Sequence, residues 1–97
     1  MDALTETIAR EVGYEWSDDS TAMLLLDYIE EGEAFLIRYD PKADFYEDKF
    51  IRGLLVEYVR YALANARDDF KRNYAEEILY LSHMGRVKNA TEKTDNQ

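Results

Sequence analysis

Backbone punctuation is scarce in this chain: one proline, Pro41, and four isolated glycines in 97 residues. Between those points the apolar residues recur at helical spacing, which predicts an all-α protein. The first helix is expected from about Ala3 to Val12, where Leu4, Ile8 and Val12 repeat every four residues. Gly13 follows as a C′ stop. Ser17 or Asp18 is placed to cap a second helix running to about Arg38, with Asp19 near its N-terminal dipole. On that helix Ala22, Leu25, Leu26, Ile29 and Leu36 gather on one face, and Leu24, Tyr28 and Phe35 form a second stripe. Two stripes predict two neighbours. Asp40-Pro41 biases the chain away from helix and ends the segment.

A third helix is expected from about Tyr46 to Asp68. Phe50, Ile51, Leu54, Leu55, Tyr58, Val59, Tyr61, Ala62 and Ala66 cover nearly half its circumference, so it should be central. A break is expected near Arg72. Asn73 with Glu76 reads as a variant capping box for a fourth helix carrying Ile78, Leu79 and Leu81 and ending near Gly85. The expected architecture is a small bundle of about four helices, two long and central between shorter N- and C-terminal ones. It forms a single domain over residues 1–85, followed by a flexible, disordered polar tail over 86–97. A chain this short buries roughly 60–65% of its unfolded surface, enough for one core.

Charge is uneven. Residues 1–48 hold 14 acids and 3 bases, residues 49–97 hold 7 acids and 9 bases, and the net charge is −9. That balance argues against ordinary nucleic-acid binding, which needs a basic footprint. No apolar run reaches the length that spans a bilayer, and the N-terminus lacks the basic and apolar regions of a signal peptide. A soluble, intracellular protein is expected. Asp27 and Glu31 lie away from the main apolar face of the second helix, with Glu30 on its flank. Lys49, Arg60 and Arg67 form a stripe opposite the apolar face of the third, with Arg52 nearby. These faces either pair within one bundle, or an acidic flank on one copy meets a basic flank on the next, which closes into a ring when the rotation permits. Thirteen aromatics are many for so small a core. Tyr39, Phe45 and Tyr46 cluster around the loop, where they either pack over helix ends or serve an interface.

Chemistry finds little support. Asp40 to Ile51 superficially resembles a calcium-binding EF-hand loop, but Phe45 stands where glycine is needed, Lys42 replaces a ligand and Ile51 replaces the bidentate glutamate. Without cysteine, thiolate zinc sites and cysteine nucleophiles are excluded, and His83 is the lone histidine. The glycines are too far apart for a phosphate loop. Adjacent acids such as Asp18-Asp19, Asp68-Asp69 and Glu76-Glu77 point about 100° apart on a helix and share no site. Asn89-Ala90-Thr91 matches a glycosylation sequon that has no meaning without export. Neither an enzyme, a cofactor nor a metal is expected.

The order of features resembles a known family. An acidic cap leads into the second helix from Asp18-Asp19 through Asp27-Tyr28-Ile29-Glu30-Glu31-Gly32. A Pro/Asp loop follows, and then Tyr58-Val59-Arg60-Tyr61-Ala62, Asn65, Phe70, Asn73-Tyr74 and Glu77-Ile78-Leu79. Over roughly Leu4 to Met84 this pattern resembles the head–tail connector (adaptor, head completion) proteins of tailed bacteriophages and prophages. The resemblance implies a structural virion protein at the head–tail interface, assembled in the bacterial host cytoplasm. Its implied partners are the portal protein, a stopper or tail-completion protein, and further copies of itself in a ring, dodecameric in much of the family. Double-stranded DNA would pass through unbound, and no membrane is involved. No motif carries site residues over. Asp27, Glu30, Glu31, Tyr39, Phe45, Tyr46, Lys49, Arg52, Arg60 and Arg67 are interface candidates on charge and aromaticity alone. The alternatives are a small acidic DNA-mimic inhibitor or another helical adaptor; basic residues on the central helix weigh against the mimic.

Overall fold

A computed structural model describes residues 3–13 and 19–95, with side chains described over 3–13 and 22–88. All regular structure among them is helical: α1 (Ala3–Glu11), α2 (Asp19–Leu36), α3 (Lys49–Leu63), α4 (Arg67–Asn73) and α5 (Ala75–Asp95). The all-α expectation holds, with five helices rather than about four. The proposed Ser17 or Asp18 cap lies outside the described residues.

α1 ends as its sequence suggests. The Val12 and Gly13 amides close the last turn on the Ile8 and Arg10 carbonyls, and Gly13 takes a left-handed φ of +73°. Leu4, Ile8 and Ala9 are buried, and α1 packs on α2. α2 packs chiefly on α3 through Leu25, Ile29, Phe35 and Leu36, so it does serve two neighbours. Its second stripe is only partly used: Phe35 is buried and Tyr28 half-buried, but Leu24 is exposed.

The loop after α2 is ordered by aspartates spaced four residues apart. Asp40 Oδ1 accepts from the Lys42 amide (3.1 Å), Asp44 Oδ1 from the Tyr46 and Glu47 amides (both 3.0 Å), and Asp48 Oδ1 from the Phe50 and Ile51 amides (3.0 and 3.3 Å). Short acidic side chains bonding backbone two or three residues on hold turns and helix caps. Asp48 therefore starts α3 at Lys49, three residues later than the apolar pattern suggested.

α3 is central, as expected. It buries Ile51, Leu54, Leu55, Val56, Tyr58, Val59 and Ala62. The break predicted near Arg72 comes earlier, at Asn65, a non-glycine residue with φ 56°. The Asn65 amide bonds the Ala62 carbonyl (3.0 Å) and the Ala66 amide bonds the Tyr61 carbonyl (2.8 Å). This paired closure around a left-handed residue is a Schellman motif, and asparagine is the usual substitute for glycine there. The reversal turns Phe70 on the short α4 back into the core, where it is fully buried. α4 then passes through Tyr74 into α5 almost without interruption: the Tyr74 amide bonds Phe70 and the Ile78 amide bonds Tyr74. Asn73 does not close a capping box; its amide donates to the Tyr61 hydroxyl (3.1 Å).

α5 departs most from expectation. Gly85 does not end it, and the backbone is helical from Ala75 to Asp95; residues 96–97 lie outside the described residues. Gly85 sits in the helix interior because the loop backbone lies on it. A Cβ there would stand 2.5 Å from the Tyr39 carbonyl oxygen and 3.0 Å from Asp40 Cα. One turn on, Lys88 Nζ reaches Asp40 Oδ2 at 2.6 Å, and that carboxylate is fully buried. The molecule is elongated, 52 × 29 × 17 Å.

Candidate interaction surfaces

The charged candidates on α2 and α3 divide by whether they find partners inside the chain. Glu31 on α2 is the focus. Arg67, at the start of α4, approaches it with two guanidinium nitrogens, Nε to Oε2 at 2.5 Å and Nη2 to Oε1 at 3.1 Å. The Tyr58 hydroxyl on α3 donates to the same Oε2. The Arg67 guanidinium also lies over the Tyr28 ring, 5.0 Å from its centroid. A fork-like pair of this kind outlasts ordinary surface ion pairs because two parallel bonds fix its geometry. The hydrogen bond from Arg67 holds the Glu31 carboxyl below its usual range against the opposing effect of burial, with Tyr58 assisting. Burial first, then the neighbouring carboxylate, pushes the Tyr58 hydroxyl up to about 12.

Arg60 is likewise engaged. Its guanidinium contacts Glu57 on α3 (2.5 Å) and the Glu11 carbonyl oxygen at the end of α1 (2.5 Å). Arg52 donates to the Tyr46 carbonyl oxygen (2.8 Å), tying the loop to α3. Glu31, Arg52, Arg60 and Arg67 therefore make contacts within one chain, whereas Asp27 and Glu30 on α2 and Lys49 at the start of α3 are exposed.

The aromatic cluster also divides. Phe45 is buried, and Tyr39 is half-buried with its ring 5.4 Å from Phe35, edge-on. Both help to seat the loop. Tyr46 stays 55% exposed.

Two features escaped the sequence reading. The first is the Asp40–Lys88 pair, whose members are 48 residues apart and carry no periodicity to link them. The second is an open groove of about 520 Å³ between the start of α3 and α5. Phe50, expected in the core, instead lies at its edge, 39% exposed, with its ring 5.1 Å from that of Tyr80. Phe50 occupies the first turn of α3, where its ring meets Tyr80 on α5. The signal in the sequence is the spacing of Tyr80, Met84 and Val87 on one side of the helix, apart from the Ile78 and Leu81 that pack inward.

Among the described residues no group of three or more histidine, cysteine, aspartate or glutamate side chains could hold a metal ion, and no helix is long and apolar enough to cross a membrane. No protein-family model, curated protein or solved structure matches the chain.

Proposed function

We propose that this chain is a structural assembly protein, a head–tail connector that docks on a portal ring and adds further copies of itself to lengthen the DNA channel towards a stopper or tail-completion protein. The order of residues from Leu54 to Leu81 suggests the family. The observation that carries the reading is the surplus of exposed large apolar side chains on a small, elongated all-helical body: Met23, Leu24, Ile37, Tyr46, Leu79, Tyr80 and Val87 are each more than 40% exposed. Surfaces of that kind suit contacts with other subunits. A net charge of −9 suits a wall past which DNA slides without sticking. The DNA-mimic alternative is disfavoured because the acids of α2 are interrupted by the Arg67 guanidinium on Glu31.

The internal partners of Arg60 and Arg67 decide which charges can probe assembly. Reversing Arg67 would set two carboxylates together within the fold, so a loss of assembly would be ambiguous. The exposed pair Asp27 and Glu30 is the better probe. The experiment is co-sedimentation with the portal protein encoded nearest to this gene, followed by electron microscopy of the pellet. A ring stacked on the portal is expected, and Asp27→Lys with Glu30→Lys should weaken ring closure while leaving the helical circular-dichroism spectrum intact. A folded protein that fails to bind an assembled portal overturns the proposal.

A further inference from the structure

The groove between α3 and α5 has an apolar floor and an acidic rim. Ile51, Leu81 and Met84 form the floor, Phe50 and Tyr80 stand exposed at its edge, and Asp48, Glu76 and Glu77 line it beside them. Among the described residues neither Glu76 nor Glu77 is in an ion pair, although cations elsewhere are taken up by Asp40, Glu31, Glu57 and Asp69. Lys88, the cation that lines the groove, is committed to the buried Asp40 carboxylate. The Glu77 carboxylate holds one oxygen, Oε2, shut from solvent with no hydrogen-bond partner. A buried acceptor left without a donor is costly, and a cation brought beside the carboxylate offsets part of that cost through space. About half of Tyr80 and more than a third of Phe50 remain open to solvent. Val87, one turn beyond Met84, continues the same strip at 43% exposed. Among the described residues this helix face, with a stripe at i, i+4 and i+7, stays largely open beside the Phe50 ring, the pattern an amphipathic segment docks against.

We infer that this groove receives a basic amphipathic segment of another protein, one that sets bulky apolar side chains on Phe50, Tyr80 and Met84 and places lysine or arginine beside Glu76 and Glu77. Charge selects the occupant. A second copy would bring a net −9 to an already acidic rim, whereas a basic segment gains from every rim carboxylate. The assignment stands on the groove alone and holds whether or not the chain forms rings.

The test uses the full chain and a labelled synthetic peptide of alternating leucine and lysine pairs, with two controls: lysine replaced by glutamate, and leucine replaced by serine. Fluorescence anisotropy gives the affinity and amide chemical-shift mapping gives the place. Saturable binding of the leucine–lysine peptide is expected, with shifts confined to the start of α3 and the first three turns of α5. The glutamate peptide should not bind. Tyr80→Ala, and separately Glu76→Gln with Glu77→Gln, should each weaken binding by about tenfold or more while the circular-dichroism spectrum is kept. Equal binding of the serine peptide, shifts spread over the acids of α2, or an unchanged affinity in both variants would overturn the inference. So would a concentration-dependent dimer that Tyr80→Ala abolishes, which would make the occupant a second copy.

Discussion

Glu31 serves three helices with one carboxylate, since Arg67 comes from α4 and Tyr58 from α3. Its charge state therefore links to stability on both sides of neutrality. Arg67 draws the Glu31 carboxyl below its ordinary value of 4.5, so the folded state binds its proton more weakly than the unfolded chain. The stabilisation is present above about pH 4.5 and is lost as pH falls through the lowered value. Tyr58 runs the other way: its value rises from 10.0 to about 12, so its contribution is full below pH 10 and is lost as pH rises towards 12. Urea titrations across pH should show stability falling at both extremes. Tyr58→Phe should flatten the alkaline fall, leaving a residue from Tyr74, which burial also raises. Glu31→Gln should flatten the acid side. An alkaline limb identical in Tyr58→Phe and the parent would mean that the hydroxyl is solvated in the folded protein.

α3 and α5 each carry one glycine in their interior, at Gly53 and Gly85, and helix propensity treats them alike: alanine should be better at both by about 1 kcal/mol. Their surroundings are opposite. A Cβ at Gly53 meets nothing within 4 Å, whereas one at Gly85 meets the loop backbone at 2.5 Å. Gly53→Ala should therefore stabilise by about 0.5–1 kcal/mol, and Gly85→Ala should destabilise by about 1–3 kcal/mol by lifting α5 from the loop. Thermal denaturation of the two variants checks this directly. If Gly85→Ala raises the melting temperature, the loop does not rest on α5. By sequence Gly85 reads as a helix end, because glycine commonly marks one. Here it marks a close approach between segments more than forty residues apart, which no local pattern encodes.

Across the whole molecule, Phe70 is the residue on which the packing converges. Its ring lies 6.0 Å from Phe35 on α2, 5.2 Å from Tyr58 and 5.7 Å from Tyr61 on α3, and 5.0 Å from Tyr74 at the entry to α5. It is fully buried, although it sits on a helix of only 7 residues. Phe70→Ala should cost about 3–5 kcal/mol, a large part of what a small domain has. Leu54→Ala on α3 should cost about 2–5 kcal/mol, the range for a core leucine. Urea unfolding measures both. A loss under about 1 kcal/mol for Phe70 would mean that α4 is not anchored and that its ring cluster is dispensable.

Much of this architecture was legible one helix at a time. The periodicity of Leu4 and Ile8, the stripe of α2 and the broad apolar face of α3 each follow from local spacing, because a helix brings residues three and four apart onto one side wherever it is placed. Gly13 and Pro41 marked boundaries for reasons confined to their own backbone. What spacing could not supply is which faces meet. Glu31 and Arg67 read equally well as two solvated flanks or as contacts between copies, and only the fold of α4 back onto α2 joins them. Phe50 belongs to the α3 stripe by angle, yet it is left partly at the surface against Tyr80 of α5. Segment 86–95 is polar enough to read as a tail, yet its backbone continues α5, which the buried Asp40 carboxylate holds at Lys88. Composition and period determine helices; burial of a particular charge or ring depends on partners distant in sequence, and only the tertiary structure selects them.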